Sequence, residues 1–409
     1  MNRRAIRFRE RTPARSPHAA QDVAAAVPVM VLSAASGAGH VRAAEALVSA
    51  FERQGIPARH VEVLRYTNPL FRRFYSDLYV ELVNRQPELL GWIYRALDRP
   101  WRFQKRRLAM DRLHTGPLIK LLRRESPSIA LCTHFLPAEI LMYLRRKGVL
   151  DIPVGVVVTD WDAHAMWLYR DVDWYFVAHE ETRAYLSAVG IPPETVHVTG
   201  IPIDPVFAEE KPKRETRLRL GLDPDRTTIL VSAGGFGVGP VEDLVRTLQR
   251  VRHPVQIAVV CGRNAALERR LRGLSGLRHP LSVVGFTQEM DVWMAASDLL
   301  VGKAGGLTSS EALARGLVLV IVNPIPGQEE RNSDHFLEEG VGIRCNNLPA
   351  LAYKIDTLLA DPGRWERMKQ AVRRLARPRA ASDIVSIVLA GVRPEDARGR
   401  TAPKLSSGP

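Results

Sequence analysis

Cysteine is scarce in this chain of 409 residues, which contains only Cys132, Cys261 and Cys345. The three cysteines lie far apart and lack the close spacing that metal-binding cysteines show. We therefore expect no structural zinc. The scarcity of cysteine favours a reducing compartment, in which the three thiols serve as small core residues.

Long apolar runs are also absent, since no stretch approaches the ~20 apolar residues of a membrane-spanning helix. Val23–Leu32 follows an arginine-rich start and imitates a secretory signal, but it contains Pro28 and leads into a glycine turn rather than a cleavage site. We expect residues 1–27 to form a disordered basic arm and residues 393–409 a disordered tail. Any membrane contact would then be peripheral.

Acidic residues are in deficit, with 44 Asp and Glu against 58 Lys and Arg, for a net charge of +14. This balance suits an anionic partner, and nucleic acid, an anionic membrane and a phosphorylated ligand all fit it. The excess is concentrated in a helical-looking segment, 68–124, with thirteen basic and five acidic residues. Its aromatic residues, Trp92, Tyr94, Trp101 and Phe103, favour contact with an anionic bilayer. A solvated helical face and a nucleic-acid surface are the alternatives.

Short runs rich in Val, Ile and Leu recur eleven times between Pro28 and Pro324. Such runs are typical of parallel strands buried on both faces, and helix-like segments separate them. We predict an α/β protein with two doubly wound, Rossmann-like domains that face each other across a cleft. Three prolines and a charge cluster in Gly200–Arg217 mark the break between an N-terminal domain, 28–205, and a C-terminal domain, 206–392.

The first glycine turn, Ser36–His40, follows a predicted strand and opens a helix. Glycine allows ligand atoms to approach the backbone closely, and the N–H groups of a helix start attract negative charge. His40 would face the cleft, where an imidazole suits proton abstraction from a hydroxyl. The alternative is a helix-capping or merely polar histidine.

A second glycine loop, Ser232–Gly239, contains Gly235 and Gly237 after another predicted strand. It partly matches a dinucleotide-binding fingerprint, but the acidic residue expected about 20 residues later is missing. Arg263 stands near that place instead. A loop that cradles phosphate is the better interpretation, and a dinucleotide-dependent oxidoreductase is the weaker one.

The third loop, Gly302–Gly316, places Thr308 and Ser309 at the start of a helix. Backbone N–H groups and hydroxyls in this arrangement can hold a diphosphate without a metal. Glu311 could accept hydrogen bonds from ribose hydroxyls, or could simply compensate the positive helix end.

A fourth loop, Asn323–Asn332, brings Gln328 and Glu329 together after a strand. Amide and carboxylate groups are natural partners for sugar hydroxyls, although a solvated turn has the same composition.

Asp160 and Asp162 follow a buried strand with the spacing of a carboxylate pair that holds a metal nucleotide. One such pair is a weak signal. Asp160 is better interpreted as a local helix-start residue or as a group that orients His40.

Six stretches in order between about residues 28 and 345 resemble the glycolipid synthases that glycosylate diacylglycerol. They are SGAGHVRAAEAL, VVVTDWDAHAMW, VDWYFVAHEET, VTGIPIDPVF, GKAGGLTSSEALARG and PIPGQEERN. The family comprises the monogalactosyldiacylglycerol synthases and the processive diacylglycerol glucosyltransferases. More distantly, the chain resembles the transferase that adds N-acetylglucosamine to the lipid-linked peptidoglycan precursor.

The resemblance implies a GT-B fold and an inverting, metal-independent transfer from a UDP-sugar. It implies that His40 is the base, assisted by Asp160, and that segment 68–124 contacts the bilayer. It further implies that the C-terminal domain holds the donor through nine residues: Gly235 and Gly237 near the phosphates, Arg263 near the nucleotide, Phe286 beside the uracil, Thr308 and Ser309 on the diphosphate, Glu311 on the ribose, and Gln328 and Glu329 on the sugar.

The expected function is transfer of glucose or galactose from a UDP-sugar to diacylglycerol, with no cofactor and no nucleic-acid partner. The expected location is the cytoplasmic face of the cell membrane, with peripheral attachment to an anionic surface. GGLTSSEAL replaces the Gly-Pro-Gly-Thr character of the galactosyl relatives, so the choice of donor stays open. A polyprenyl-linked or other lipophilic acceptor, and a non-catalytic binding module, are the alternatives.

Overall fold

The computed structural model describes residues 29–35, 37–68, 71–72, 86–102, 115–232 and 240–391. The predictions for the basic arm, the tail, Phe103, Gly235 and Gly237 lie outside these residues.

The described residues form two six-stranded parallel sheets, one in each lobe. The first sheet has the order β2-β1-β3-β4-β5-β6, with strands at Val29–Ser33 (β1), Ala58–Glu62 (β2), Ile129–Cys132 (β3), Val154–Val157 (β4), Trp174–Val177 (β5) and Val196–Val198 (β6). The second has the order β12-β11-β10-β7-β8-β9, with strands at Thr227–Ser232 (β7), Val255–Val260 (β8), Leu281–Val284 (β9), Leu299–Gly302 (β10), Val318–Val322 (β11) and Gly342–Cys345 (β12).

Helices connect the strands and cover both faces of each sheet, as parallel pairing requires. In the described residues they span Ala38–Glu52 (α1), Pro87–Leu97 (α2), Gly116–Glu125 (α3), Phe135–Arg146 (α4), Glu180–Ala188 (α5), Lys213–Arg219 (α6), Val241–Leu248 (α7), Ala265–Arg272 (α8), Met290–Ala295 (α9), Gly306–Ala314 (α10), Gln328–Glu338 (α11), Leu351–Leu359 (α12), Pro362–Leu375 (α13) and Ala380–Gly391 (α14). No described helix is both long enough and apolar enough to cross a membrane.

Burial of apolar runs stabilises the strands, most completely inside each sheet. Every residue of β1, β8 and β11 is buried, whereas the edge strands β2 and β9 are mostly half-buried. Each of the eleven predicted runs overlaps a strand. Full burial of a Val, Leu or Ile side chain contributes about 1.5–3 kcal/mol to folding. These observations confirm the predicted α/β architecture of two doubly wound sheets.

The last helix, α14, packs on the first lobe and not on the second. Ile384, Val385 and Val388 share a buried apolar cluster with Val29 of β1 and Phe51 of α1. The chain therefore crosses back after α13. The predicted C-terminal domain extends to residue 392, and within it α14 covers the first lobe, because its apolar face fits the outer side of α1.

The two lobes approach each other closely at the start of α10. A Cβ atom built on Gly306 would lie 2.4 Å from the carbonyl oxygen of Thr159 in the first lobe. Such a distance is shorter than any real contact of a Cβ atom, so only glycine permits this approach. The carboxyl ends of β4 and β10, which precede Thr159 and Gly306, therefore face the same seam.

Candidate active site

The imidazole of His40 is held by two threonines at the carboxyl ends of β3 and β4. Its Nδ1 lies 3.0 Å from the carbonyl oxygen of Thr133 and 2.7 Å from Oγ1 of Thr159. A carbonyl oxygen can only accept a hydrogen bond, so Nδ1 carries the proton. The lone pair of the neutral ring is then on Nε2, as a general base requires.

Asp160 lies beside this histidine and is almost completely buried. Its Oδ2 accepts a hydrogen bond from Nε1 of Trp167 at 2.9 Å, and its Oδ1 accepts one from Gln328 of the second lobe. The ring of Trp167 in turn lies 6.2 Å from that of His40. Asp160 therefore acts on His40 through its charge, while Thr133 and Thr159 make the hydrogen bonds that orient the ring.

Burial lowers the pKa of His40, although the Asp160 carboxylate and the Thr133 carbonyl oppose this effect. The imidazole is consequently neutral at pH 7. Once it gains a proton, the nearby carboxylate stabilises the resulting charge. This combination suits a group that abstracts a proton and then holds it.

The second lobe contributes Glu311, which lies in α10 and is only 2% exposed. Its Oε1 accepts a hydrogen bond from the Arg42 guanidinium of α1 at 2.9 Å, across the seam. Burial raises the pKa of Glu311 to about 7, against the opposing effect of Arg42. Thr308 and Ser309 lie in the first turn of the same helix, where backbone N–H groups attract an anion.

The loop before α11 brings Glu329 next to the start of α10. Oε2 of Glu329 accepts a hydrogen bond from the backbone N–H of Ile325 at 2.7 Å. Its Oε1 lies 3.7 Å from the position of a Cβ atom built on Gly305. Burial raises the pKa of Glu329, and the charge of Lys303 lowers it. Glu329 therefore lies next to the loop at Gly305, in the same site, as the sequence predicts.

Asn332 joins this loop to both lobes. Its Nδ2 donates to the carbonyl oxygen of Ala304 at 2.9 Å, and its Oδ1 accepts from the backbone N–H of Trp161 at 3.1 Å. The loop that carries Gln328 and Glu329 is thus fixed relative to the stretch that carries Asp160.

Arg263 and Phe286 form a separate pair at the carboxyl ends of β8 and β9. The guanidinium carbon of Arg263 lies 5.0 Å from the centre of the Phe286 ring. Phe286 is 59% exposed, which is unusual for a large apolar side chain. The pair lies on the same edge of the second sheet as the start of α10, and it offers a flat surface for a ring.

Asp160 and Asp162 do not point at a common position. Asp162 accepts a hydrogen bond from Nη1 of Arg331 at 3.1 Å, whereas Asp160 bonds to Trp167 and Gln328. Burial raises the pKa of Asp162. The two carboxylates therefore have different partners and do not form one metal-binding pair among the described residues.

Helix α2 lies against the loop that precedes α11. Asp98, at its end, accepts a hydrogen bond from Nη2 of Arg331 at 2.5 Å and another from the backbone N–H of Ala165 at 2.8 Å. A Cβ atom on Gly327 would lie 2.8 Å from the ring of Tyr94. The outer side of the helix exposes Leu89, Trp92 and Leu97.

Arg42, Thr133, Thr159 and Trp167 are site residues that sequence analysis did not single out. Thr159 and Trp167 lie in the same stretch as Asp160 and Asp162, which is only a weak local indication of a role in the site. Nothing local marks Arg42 or Thr133, because their partners lie on elements distant in the sequence.

Two facing parallel sheets with glycine turns at the seam define the GT-B class of glycosyltransferases. MnaA of Staphylococcus aureus, solved with UDP, shares the fold with a TM-score of 0.57 at 13% identity, covering 88% of this chain and 96% of that one. MurG of Acinetobacter baumannii shares it with a TM-score of 0.54 at 16% identity, covering 89% and 99%. At these identities the likeness shows the fold alone.

The model of the monogalactosyldiacylglycerol (MGDG) synthase family matches residues 40–203, and that of glycosyl transferases group 1 matches residues 213–375. A processive diacylglycerol β-glucosyltransferase of Bacillus subtilis (strain 168) is 30% identical, over 88% of this chain and 94% of the relative. The enzyme of the same name from Staphylococcus aureus (strain MRSA252) is 28% identical, over 91% and 96%. This chain therefore belongs to the family of monogalactosyldiacylglycerol synthases and processive diacylglycerol glucosyltransferases, and it is a glycosyltransferase.

The buried carboxyl of Glu311 predicts a pH-dependent stability. Its pKa is higher in the folded chain than in the unfolded chain, so its ionisation between about pH 4.5 and pH 7 destabilises the fold as pH rises. We expect Glu311→Gln to match the parent enzyme near pH 5 and to exceed its stability at pH 8, by up to about 3 kcal/mol. Thermal denaturation at pH 5 to 8 measures the difference.

The control is Glu338→Gln, which removes an exposed carboxylate and should behave like the parent enzyme at every pH. A Glu311→Gln variant that is less stable than the parent enzyme at pH 8 would show that Arg42 keeps Glu311 ionised.

Proposed function

We propose that this enzyme transfers a hexose from a UDP-hexose to the hydroxyl of diacylglycerol, with inversion and without a cofactor. The similar proteins of Bacillus are diacylglycerol β-glucosyltransferases, which supports this acceptor and favours glucose. UDP-glucose is an α-glycoside, so a β product corresponds to inversion. The observation that carries the proposal is the tautomer of His40, which is protonated on Nδ1 and so carries its lone pair on Nε2, at the seam beside the start of α10.

In the proposed step, Nε2 of His40 takes the proton of the diacylglycerol hydroxyl. The hydroxyl oxygen forms a bond to the anomeric carbon, while the bond from that carbon to the UDP oxygen breaks. UDP leaves with the electron pair. The hydrogen bond from Nδ1 to the Thr133 carbonyl keeps the tautomer correct, and Asp160 stabilises the imidazolium.

The leaving diphosphate is proposed to lie against the start of α10. The N–H groups there, with the hydroxyls of Thr308 and Ser309, provide hydrogen bonds to negative oxygens. Lys303, directly after β10, adds a positive charge that sequence analysis did not assign. In this proposal the transfer itself requires no metal.

The remaining donor contacts follow from the placement of the other residues. We assign the ribose to Glu311, the sugar hydroxyls to Gln328 and Glu329, and the uracil to the exposed ring of Phe286 beside Arg263. Gly235 and Gly237 lie outside the described residues and keep their predicted place near the phosphates. The hydrogen bond between Arg42 and Glu311 must break when the donor binds, because the ribose requires the same carboxylate.

Helix α2 is proposed to be the contact with an anionic membrane surface. Its outer side exposes Leu89, Trp92 and Leu97, and Arg95 and Arg99 lie in the same stretch. Apolar and basic groups together suit the interface of an anionic bilayer. Its inner side touches the donor loop at Gly327, so the acceptor would arrive next to the donor. Peripheral attachment at the cytoplasmic face is consistent with this arrangement.

The direct test of the proposed function is a product assay. The full chain is incubated with vesicles that contain diacylglycerol and an anionic lipid, and with UDP-glucose or UDP-galactose. We expect hexosyl-diacylglycerol by mass spectrometry, with more product from UDP-glucose. Vesicles that contain a polyprenyl-linked sugar test the alternative acceptor. Glycosylation of that lipid, with diacylglycerol left unmodified, would overturn the acceptor assignment.

The membrane role of α2 predicts the effect of Trp92→Ser. Loss of a large exposed ring removes interfacial apolar area, so vesicle binding in a sedimentation assay should weaken by about tenfold. Tyr353→Ser is the matched control, since Tyr353 is 66% exposed but lies on α12 of the other lobe. Equal weakening by both variants would argue against a specific role for α2.

A further inference from the structure

A second cluster of polar side chains crosses the seam between the lobes. His179 and Glu181 lie at the start of α5 in the first lobe, and His335 lies on α11 in the second. One ligand atom from each of the three side chains lies within 4.8 Å of those from the other two. The rings of His179 and His335 have centres only 3.8 Å apart.

The hydrogen bonds of His179 leave one ring nitrogen available. Its Nε2 faces the carbonyl oxygen of Trp161, which can only accept, so Nε2 carries the proton. The lone pair of the neutral ring is therefore on Nδ1. The N–H of Nε2 fixes the tautomer, which is how metal-binding histidines are usually held.

His335 is more unusual, because its ring is buried and no hydrogen bond from the described residues holds it. It is only 8% exposed, and its Nε2 is buried with no hydrogen-bond partner among the described residues. Its Nδ1 lies 3.6 Å from Oε2 of Glu181, which is beyond a good hydrogen bond. A buried polar group left without a partner normally costs free energy, so this ring calls for a further ligand.

We propose that His179, Glu181 and His335 bind one divalent transition-metal ion, with Zn²⁺ the best fit, and that the ion clasps the two lobes. Two imidazoles and one carboxylate are a common zinc ligand set, which leaves a fourth position for water. Binding requires the two stacked rings to rotate, so that their lone pairs meet at a shared ion.

The surroundings suit a closure device separate from the transfer reaction. Glu181 has a side chain that is 74% exposed, so the cluster opens to solvent on one side and an ion can enter. The ring of Trp161 covers the other side, with its centre 5.8 Å from that of His179 and 5.4 Å from that of His335.

Metal binding to the metal-free full chain tests the proposal without any activity measurement. Zn²⁺ is titrated in competition with a chromophoric chelator, and Co²⁺ is followed by its visible absorption bands. We expect one ion per chain with a Kd of roughly 10 µM or tighter, and a higher Tm with Zn²⁺ present.

Three variants identify the ligands. His335→Ala and His179→Ala should abolish binding, and Glu181→Gln should weaken it by about tenfold or more. Glu181 is exposed, so its variant stays informative if a histidine variant fails to fold, which circular dichroism shows. His253→Ala is the control, because His253 also faces a carboxylate, Asp356 at 2.9 Å, but belongs to no group of three potential metal ligands among the described residues. Absence of binding by the parent enzyme, or unchanged binding by a folded Glu181→Gln variant, would overturn the proposal.

Discussion

The close contact between Gly306 and the carbonyl of Thr159 is the constraint on which the rest of the site depends. No side chain fits at residue 306, so the start of α10 comes directly against the end of β4. Thr159 also holds the ring of His40 through its hydroxyl. The same residue therefore sets how near the lobes come and how the candidate base is oriented.

Cross-lobe polar contacts surround this point and make its geometry specific. Arg42 donates a hydrogen bond to Glu311, and Gln328 donates one to Asp160. Asn332 accepts one from the backbone N–H of Trp161. Buried polar groups need partners, so these pairs favour one relative arrangement of the lobes over others. In our proposal the donor replaces Arg42 at Glu311, which links donor binding to the contacts that close the seam.

The sequence predicted the sheets well because continuous Val, Ile and Leu runs are a strong local signal. It missed β12, whose four residues include Gly342 and Arg344 and carry little hydrophobic pattern. An apolar helix face does not reveal which lobe it covers, so the packing of α14 on the first lobe is seen only in the structure. The glycine turns and His40 were visible locally, but the tautomer of His40 depends on Thr133 and Thr159, which are distant in the sequence. Contacts between residues so distant in the sequence are seen only in the folded chain.

The central claim is that Nε2 of His40 removes the acceptor proton while the second lobe holds UDP. The most direct test compares single-turnover transfer and UDP affinity in His40→Ala. The control is His197→Ala, because His197 lies on β6 and stacks on the ring of Phe176. The account predicts that transfer falls by about 10²–10⁴-fold in His40→Ala, while the Kd for UDP stays unchanged. Transfer at the parent rate in a folded His40→Ala variant would contradict it.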